Sequence, residues 1–300
     1  MSVASFVPLQ NSDRKTTTDE ASAPPIFYPE MGSDDDLRTI RDIFFVHDCV
    51  LIRRLLNPAR LKFFRALCDT IYVEDDRRMQ AGQLPPDLVR EYQNGWIWEP
   101  RLRKETGGVF GYEDIVLNKK LFAFLNLILS DAWYTAAASQ IRRMPPRAED
   151  YQWGSQTSYH LDAQWGDDRH YHLNVWVPFT PCGVSAAGLE FLLTPADTIR
   201  RYGRYDPGIP SEPKTWNGAS PRMDYGLFAL DILQQQFHPQ RFWAPRFEVG
   251  DVVIFSNWCA HRTALLPAMT DMRISLEWRV FVNSFDTPLR PQQTGDERPI

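Results

Sequence analysis

Three residues of this chain have types and spacing suited to holding a metal. His160 and Asp162 are separated by one residue in Tyr159-His160-Leu161-Asp162, and His261 follows about a hundred residues later. Alternate residues of an extended strand share a face, so the histidine and the carboxylate point the same way. Two neutral imidazoles and one carboxylate, with further positions left open, form the facial donor set that suits non-haem Fe(II) and O2 chemistry. By itself the tripeptide has a plainer explanation: a surface strand, or a histidine satisfied by a neighbouring carboxylate. Short motifs need structural context before they carry weight.

That context comes from the segments around it. Gly250-Asp251-Val252-Val253-Ile254-Phe255 reads as a tight turn feeding a buried strand, and His261 follows after a short bend. Arg273-Ile274-Ser275 opens another strand. It offers a permanent charge and a forked donor array for a carboxylate, with Ser275 on the same face as Arg273. The strand after His-x-Asp carries Asn174 and Trp176, which share one face.

The elements that must position these residues divide the chain in two. Residues 1–36 are rich in Ser, Thr, Asp and Pro and read as a flexible leader. The run Asp34-Asp35-Asp36 reads as a solvated helix start rather than a cation site. Residues 37–134 read as mainly helical support: a short helix over Leu37–Phe44, a strand over Cys49–Arg53, and a helix opened by Asn57-Pro58. A polar connection over Asp75–Gln83 precedes a further helix at Pro85-Pro86-Asp87. Trp96-Ile97-Trp98 then leads into a charged loop ending near Gly111, and an apolar helix follows over Asn118–Leu129.

Residues 135–283 read as the β-core. Strands are expected at Ala137–Met144, Thr157–Leu161, Tyr171–Phe179, Leu189–Leu193, Arg246–Val249, Val252–Ser256 and Ile274–Asn283. Short strands with regular turns imply a sandwich or barrel. Residues 196–244 interrupt the series, with a helix expected over Tyr225–Phe237, and read as a lid or binding element. Residues 284–300 read as a tail.

The constellation resembles the iron(II)/2-oxoglutarate dioxygenase superfamily, in its phytanoyl-CoA-hydroxylase-like branch. The resemblance runs in order through His160-Leu161-Asp162, Leu173-Asn174-Val175-Trp176-Val177-Pro178, Gly188-Leu189-Glu190-Phe191, Gly250–Phe255, His261-Arg262-Thr263 and Arg273-Ile274-Ser275. Phe45–Ile52 also looks like the family's opening strand region. The resemblance implies a mainly β protein with helical support, built on a double-stranded β-helix (jelly-roll, cupin-like) core. It implies His160, Asp162 and His261 as iron ligands, and Arg273 with Ser275 on the distal carboxylate of 2-oxoglutarate. Trp176 matches a position beside the co-substrate. Gln140, with Arg142 on its face, and Thr263 are weaker matches for that pocket. The co-substrate would take two metal positions and leave one for O2. Asp162 stands where related halogenases carry a small residue, which favours hydroxylation or another oxidation; the expected activity is hydroxylation of a small molecule. The chain departs from many relatives at Leu193-Thr194-Pro195-Ala196-Asp197, so no role tied to their Pro-Gly-Ser-His turn transfers. Three other readings of the same residues are a cupin-like metalloenzyme without 2-oxoglutarate, a jelly-roll that binds metal or ligand without turnover, and a protein-modifying hydroxylase, for which the sequence offers no extended peptide groove.

Other residues suggest chemistry less strongly. His170 and His172 share a strand face but lack a partner carboxylate, so pocket lining or a structural hydrogen bond is their reading. His47 and His238 read as structural or loop residues. Arg200, Arg201 and Arg204 read as a solvated turn, the sharper alternative being recognition of an anionic group on the substrate. A hydrophobic share of 43% and a net charge of -5 describe a folded protein without the basic surface that nucleic acid needs. No apolar run reaches a membrane span, and the start lacks a signal-peptide pattern. Cys49, Cys68, Cys182 and Cys259 form no Cys-x-x-Cys pair. Three of them sit in apolar surroundings, as buried free thiols of a cytoplasmic protein would. Oligomeric state is not legible.

Overall fold

A computed structural model of the chain describes residues 25–27, 34–108, 118–129, 133–135, 139–146, 159–162, 171–193, 227–228, 233–235 and 237–282. Its helices are α1 (Asp34–His47), α2 (Pro58–Gln80), α3 (Pro86–Asn94), α4 (Glu99–Glu105) and α5 (Lys119–Leu129). The N-terminal strands are β1 (Ile26–Phe27), β2 (Cys49–Ile52), β3 (Trp96–Trp98) and β4 (Trp133–Thr135). The β-core holds β5 (Gln140–Met144), β6 (Tyr159–His160), β7 (His172–Pro178), β8 (Gly188–Leu192), β9 (Leu227–Phe228), β10 (Phe242–Trp243), β11 (Val252–Ser256), β12 (His261–Ala264) and β13 (Arg273–Val282).

Two sheets result. The larger runs β1-β2-β11-β7-β13-β5-β3, with β4 also on β13, and the smaller runs β10-β8-β12-β6-β9. From β5 to β8 and again from β10 to β13 the chain alternates between them, with β8, β9 and β10 all in the smaller sheet, and core pairs within each sheet are antiparallel. This is the jelly-roll arrangement.

Strand period explains the layers. Leu173, Val175 and Val177 of β7 and Ile274, Leu276, Trp278 and Val280 of β13 join one apolar cluster. The cluster takes in Ile40 and Phe44 of α1, Phe64 and Cys68 of α2, and Leu121 and Leu125 of α5. The helices therefore cover the outer face of the larger sheet. The inner face carries Cys49, Leu51, Trp176, Val253 and Phe255, which pack against Leu189 and Phe191 of the smaller sheet. β7 is buried at every position: Leu173, Val175 and Val177 lie under the helices, and the alternate residues His172, Asn174 and Trp176 are buried on the opposite face.

Several boundaries differ from the sequence expectation. Ile26–Phe27, inside the stretch read as a leader, pairs in parallel with β2, and Pro25 and Phe27 carbonyls accept from Leu51 and Arg53. The expected polar connection from Asp75 is instead the last part of α2. Its charges are tied down: Glu74 by Arg77 and Arg78, Asp75 by Arg101 at 2.6 Å, and Asp76 by Arg143 at 2.7 Å. Pairs at i,i+3 and i,i+4 support a polar helix that shows little apolar periodicity. The same reason turns the expected loop after Trp98 into α4, where Glu99 pairs with Arg103 and Arg101 with Glu105. Trp96–Trp98 is itself an edge strand on β5.

Arg246–Val249 is not a strand; Phe247 makes a single bridge to Cys182, and Asp251 accepts from the Glu248 amide to close a turn. Among the described residues of the expected helix at Tyr225–Phe237, Leu227–Phe228 is strand β9 and 233–235 are helical. Most of 196–244, and the tail, lie outside the described residues. All four cysteines are buried and free. Among the described residues no helix is long and apolar enough to cross a membrane.

Candidate metal centre

His160 ends β6 and lies directly opposite His261 of β12 in the smaller sheet. The hydrogen-bonded strand stops at His160, so Asp162 is not a strand residue, yet side-chain alternation continues past it. Tyr159 and Leu161 pack together in a cluster with Leu192 and Ala260, while His160 and Asp162 turn the other way. Candidate ligand atoms of His160, Asp162 and His261 all lie within 4.8 Å of one another. His160 Nε2 is 3.7 Å from Asp162 Oδ1, and the two imidazole rings are 4.3 Å apart.

His261 is fixed from behind. Its Nδ1 lies 3.0 Å from the Cys259 carbonyl, which favours the tautomer that donates from Nδ1 and leaves Nε2 as a ligand. Phe255 meets its ring edge-on at 4.6 Å. Burial, followed by the charge of His160, pushes its pKa down to about 4, so the ring is neutral near pH 7. Burial alone would raise the Asp162 carboxyl, but Arg279, then His261 and His160, outweigh it and hold the group well below the usual range. Both conditions suit metal ligation, which needs neutral imidazole and ionised carboxylate.

The turn before β11 is built for rigidity. Gly250 has φ +109, and a Cβ there would meet the Leu56 carbonyl at 2.8 Å. Asp251 is fully buried; its carboxylate accepts from Arg53 at 2.6 Å, from the Arg54 amide at 3.0 Å and from the Glu248 amide at 2.8 Å.

Across the barrel, β13 presents Arg273, Ser275, Glu277, Arg279 and Phe281 on its inner face, opposite in phase to the apolar residues under the helices. Arg273 and Ser275 are fully buried. The Arg273 guanidinium lies 5.6 Å from the Trp176 ring centre and 3.7 Å from Glu277. Glu277 also lies 3.6 Å from Arg142 and accepts from Gln140 Nε2 at 2.8 Å. Burial pushes the Glu277 carboxyl up, but Arg142 and Arg273 outweigh it and keep it below the usual range. Ser275 Oγ, Trp176 Nε1, Asn174 Nδ2, and Nε and Nη2 of Arg142 are buried with no hydrogen-bond partner among the described residues. Buried donors of this kind are met by ordered water, an ion or a ligand. Thr263, buried on β12, shares the face of His261.

Of the secondary candidates, His172 is buried beside Phe281, 4.8 Å ring to ring, and is not part of the donor group. His238 caps a short turn by accepting from the Gln240 amide, and His47 closes α1. His170, Arg200, Arg201 and Arg204 lie outside the described residues. Glu277 and Arg279 escaped the sequence reading, although counting every second residue from Arg273 reaches both.

No protein-family profile and no curated protein matches the chain. Solved structures do. EvdO2 from Micromonospora carbonacea var. aurantiaca is 15% identical, with 81% of this chain and 89% of that one covered and a TM-score of 0.51. EvdO2 complexed with 2-oxoglutarate matches equally, at 15% identity, the same 81% and 89% coverage and a TM-score of 0.51. The non-heme alpha ketoglutarate dependent epimerase SnoN from nogalamycin biosynthesis is 9% identical, over 88% of this chain and 93% of that one, with a TM-score of 0.46. At the identity of EvdO2 the likeness establishes a shared fold.

Proposed function

We propose that the chain is an Fe(II)- and 2-oxoglutarate-dependent oxygenase that hydroxylates a small molecule, within the phytanoyl-CoA-hydroxylase-like branch. One observation carries the proposal: a His-Asp-His donor group and the fully buried pair Arg273 and Ser275 line the same jelly-roll interior. The donor set fits iron(II), with the Cys259 carbonyl behind His261 and Asp162 held ionised. Unpartnered buried donors on Ser275, Trp176 and Arg142 fit a dicarboxylate co-substrate. EvdO2, whose fold this chain shares, has been captured with 2-oxoglutarate.

His160, Asp162 and His261 would hold iron(II), which when bound supplies the electrons that activate O2. Arg273 would receive the distal carboxylate of 2-oxoglutarate in a forked, charge-assisted pair, with Ser275 as a second donor. Trp176 would wall the co-substrate, and Gln140 acts through Glu277 to orient the guanidinium groups. Thr263 would line the same cavity. The apolar wall from Phe191, Phe255 and Trp176 excludes water, which strengthens every charge interaction inside. Overall, 2-oxoglutarate, O2 and a C–H bond give succinate, CO2 and an alcohol, one oxygen atom going to each organic product. Residues 37–283 form one domain in this reading, and most of the lid or binding element expected at 196–244 lies outside the described residues.

Anaerobic titration tests the proposal. One Fe(II) per chain should bind, and 2-oxoglutarate should bind only with the metal present. Metal binding without any affinity for 2-oxoglutarate would support the cupin-like alternative.

A further inference from the structure

The two oxygens of Asp162 have different neighbours. Oδ1 faces His160 Nε2 at 3.7 Å, while Oδ2 faces Nη2 of Arg279 at 3.5 Å. Arg279 is held in place by its strand: Trp278 and Val280 are buried under the helices, and β13 pairs with β7, setting Arg279 opposite Asn174. Its guanidinium is partly exposed and also acts on Glu277.

Carboxylates bind metal ions through one oxygen or through both. An octahedral ion on a facial set of three ligands keeps three open positions, two for the co-substrate and one for O2. A second oxygen from Asp162 would take one of them. We propose that Arg279 is a positioning residue that retains Oδ2 of Asp162, so that the carboxylate ligates through Oδ1 alone and the third open position survives. The inference rests on the reading of His160, Asp162 and His261 as metal ligands. A cation beside a metal site repels the metal, so Arg279 contributes coordination geometry at some expense of metal affinity.

Mn(II)-loaded full chain provides the test, through water-proton relaxation per bound ion, which counts exchangeable waters on the metal. The wild type should show three such waters. Arg279→Gln should lose about one third of the relaxation enhancement per bound Mn(II) as Asp162 becomes bidentate. Its Mn(II) affinity should be equal to or tighter than that of the wild type, and Arg279→Lys should retain the wild-type enhancement. A merely structural arginine would lower the melting temperature in chelator and leave the enhancement per bound ion unchanged, and that result overturns the proposal. A crystal structure of the Mn(II)-loaded wild type needs no variant: both Asp162 oxygens on the metal would overturn it as well. Failure of the wild type to bind Mn(II) would defeat the metal reading itself, a result distinct from binding with an unchanged water count.

Discussion

Replacing Arg273 with Gln tests the carboxylate end of the site separately from the metal end. Arg273 is fully buried, with Glu277 at 3.7 Å and the Trp176 ring centre at 5.6 Å. A forked guanidinium–carboxylate contact supplies two charge-assisted hydrogen bonds, each contributing roughly 1.5–3 kcal/mol. At about 1.4 kcal/mol per tenfold, losing the fork weakens 2-oxoglutarate binding by roughly 100-fold or more. 2-Oxobutyrate has the same keto acid head and no distal carboxylate, so its affinity should change less than about threefold, a shift of about 0.6 kcal/mol. Breaking a buried ion pair costs about 3–5 kcal/mol of stability. Glu277 keeps Arg142 at 3.6 Å and Gln140 at 2.8 Å, which places the cost at the lower end. Calorimetric titration of the Mn(II)-loaded protein with both keto acids gives the two affinities. Equal losses for the two, or unchanged 2-oxoglutarate affinity, would refute a clamp at Arg273.

Other consequences can be measured independently. In metal-free protein, NMR titration of His261 should give a pKa of about 4. Because that value is depressed below 6.5, the ring stays neutral through pH 5, and metal affinity should lose its His261 contribution only as pH falls toward 4; a value near 6.5 would contradict the burial assigned to it. Asp251→Asn weakens the link between β2 and β11, where one carboxylate accepts from Arg53 and two backbone amides. The expected loss is about 3 kcal/mol, read by denaturant unfolding, and a change below about 1 kcal/mol would contradict it. Gly95 and Gly82 have similar positive φ, but a Cβ at Gly95 would lie 2.0 Å from the Arg143 carbonyl, whereas nothing lies within 4 Å at Gly82. Gly82→Ala should therefore cost about 1 kcal/mol and Gly95→Ala several times more, with equal melting shifts counting against the packing described.

Much of this architecture was legible because strand period is a strong signal. His160 and Asp162 share a side, and the alternation holds even though β6 ends between them, since Leu161 must still reach its apolar cluster. Arg273 and Ser275 follow the same rule. Helices stabilised by charge pairs were harder to read: α4 and the end of α2 hold few apolar residues in sequence order, and their partners, such as Asp75 with Arg101, are distant along the chain. Two-residue strands such as β1, β9 and β10 carry too little pattern to be seen without their neighbours. Glu277 was passed over because a carboxylate inside a barrel becomes sensible only once Arg142 and Arg273 are known to flank it.

The most direct test of the central claim is succinate formation from 2-oxoglutarate by the full chain with Fe(II), followed together with O2 uptake across a panel of small molecules. Succinate formed and O2 consumed should be matched one to one for an accepted substrate. Turnover should require Fe(II), and Asp162→Ala should abolish it while the protein stays folded. Succinate formation that persists in Asp162→Ala, or its absence from an iron-loaded wild type that binds 2-oxoglutarate, would contradict the account.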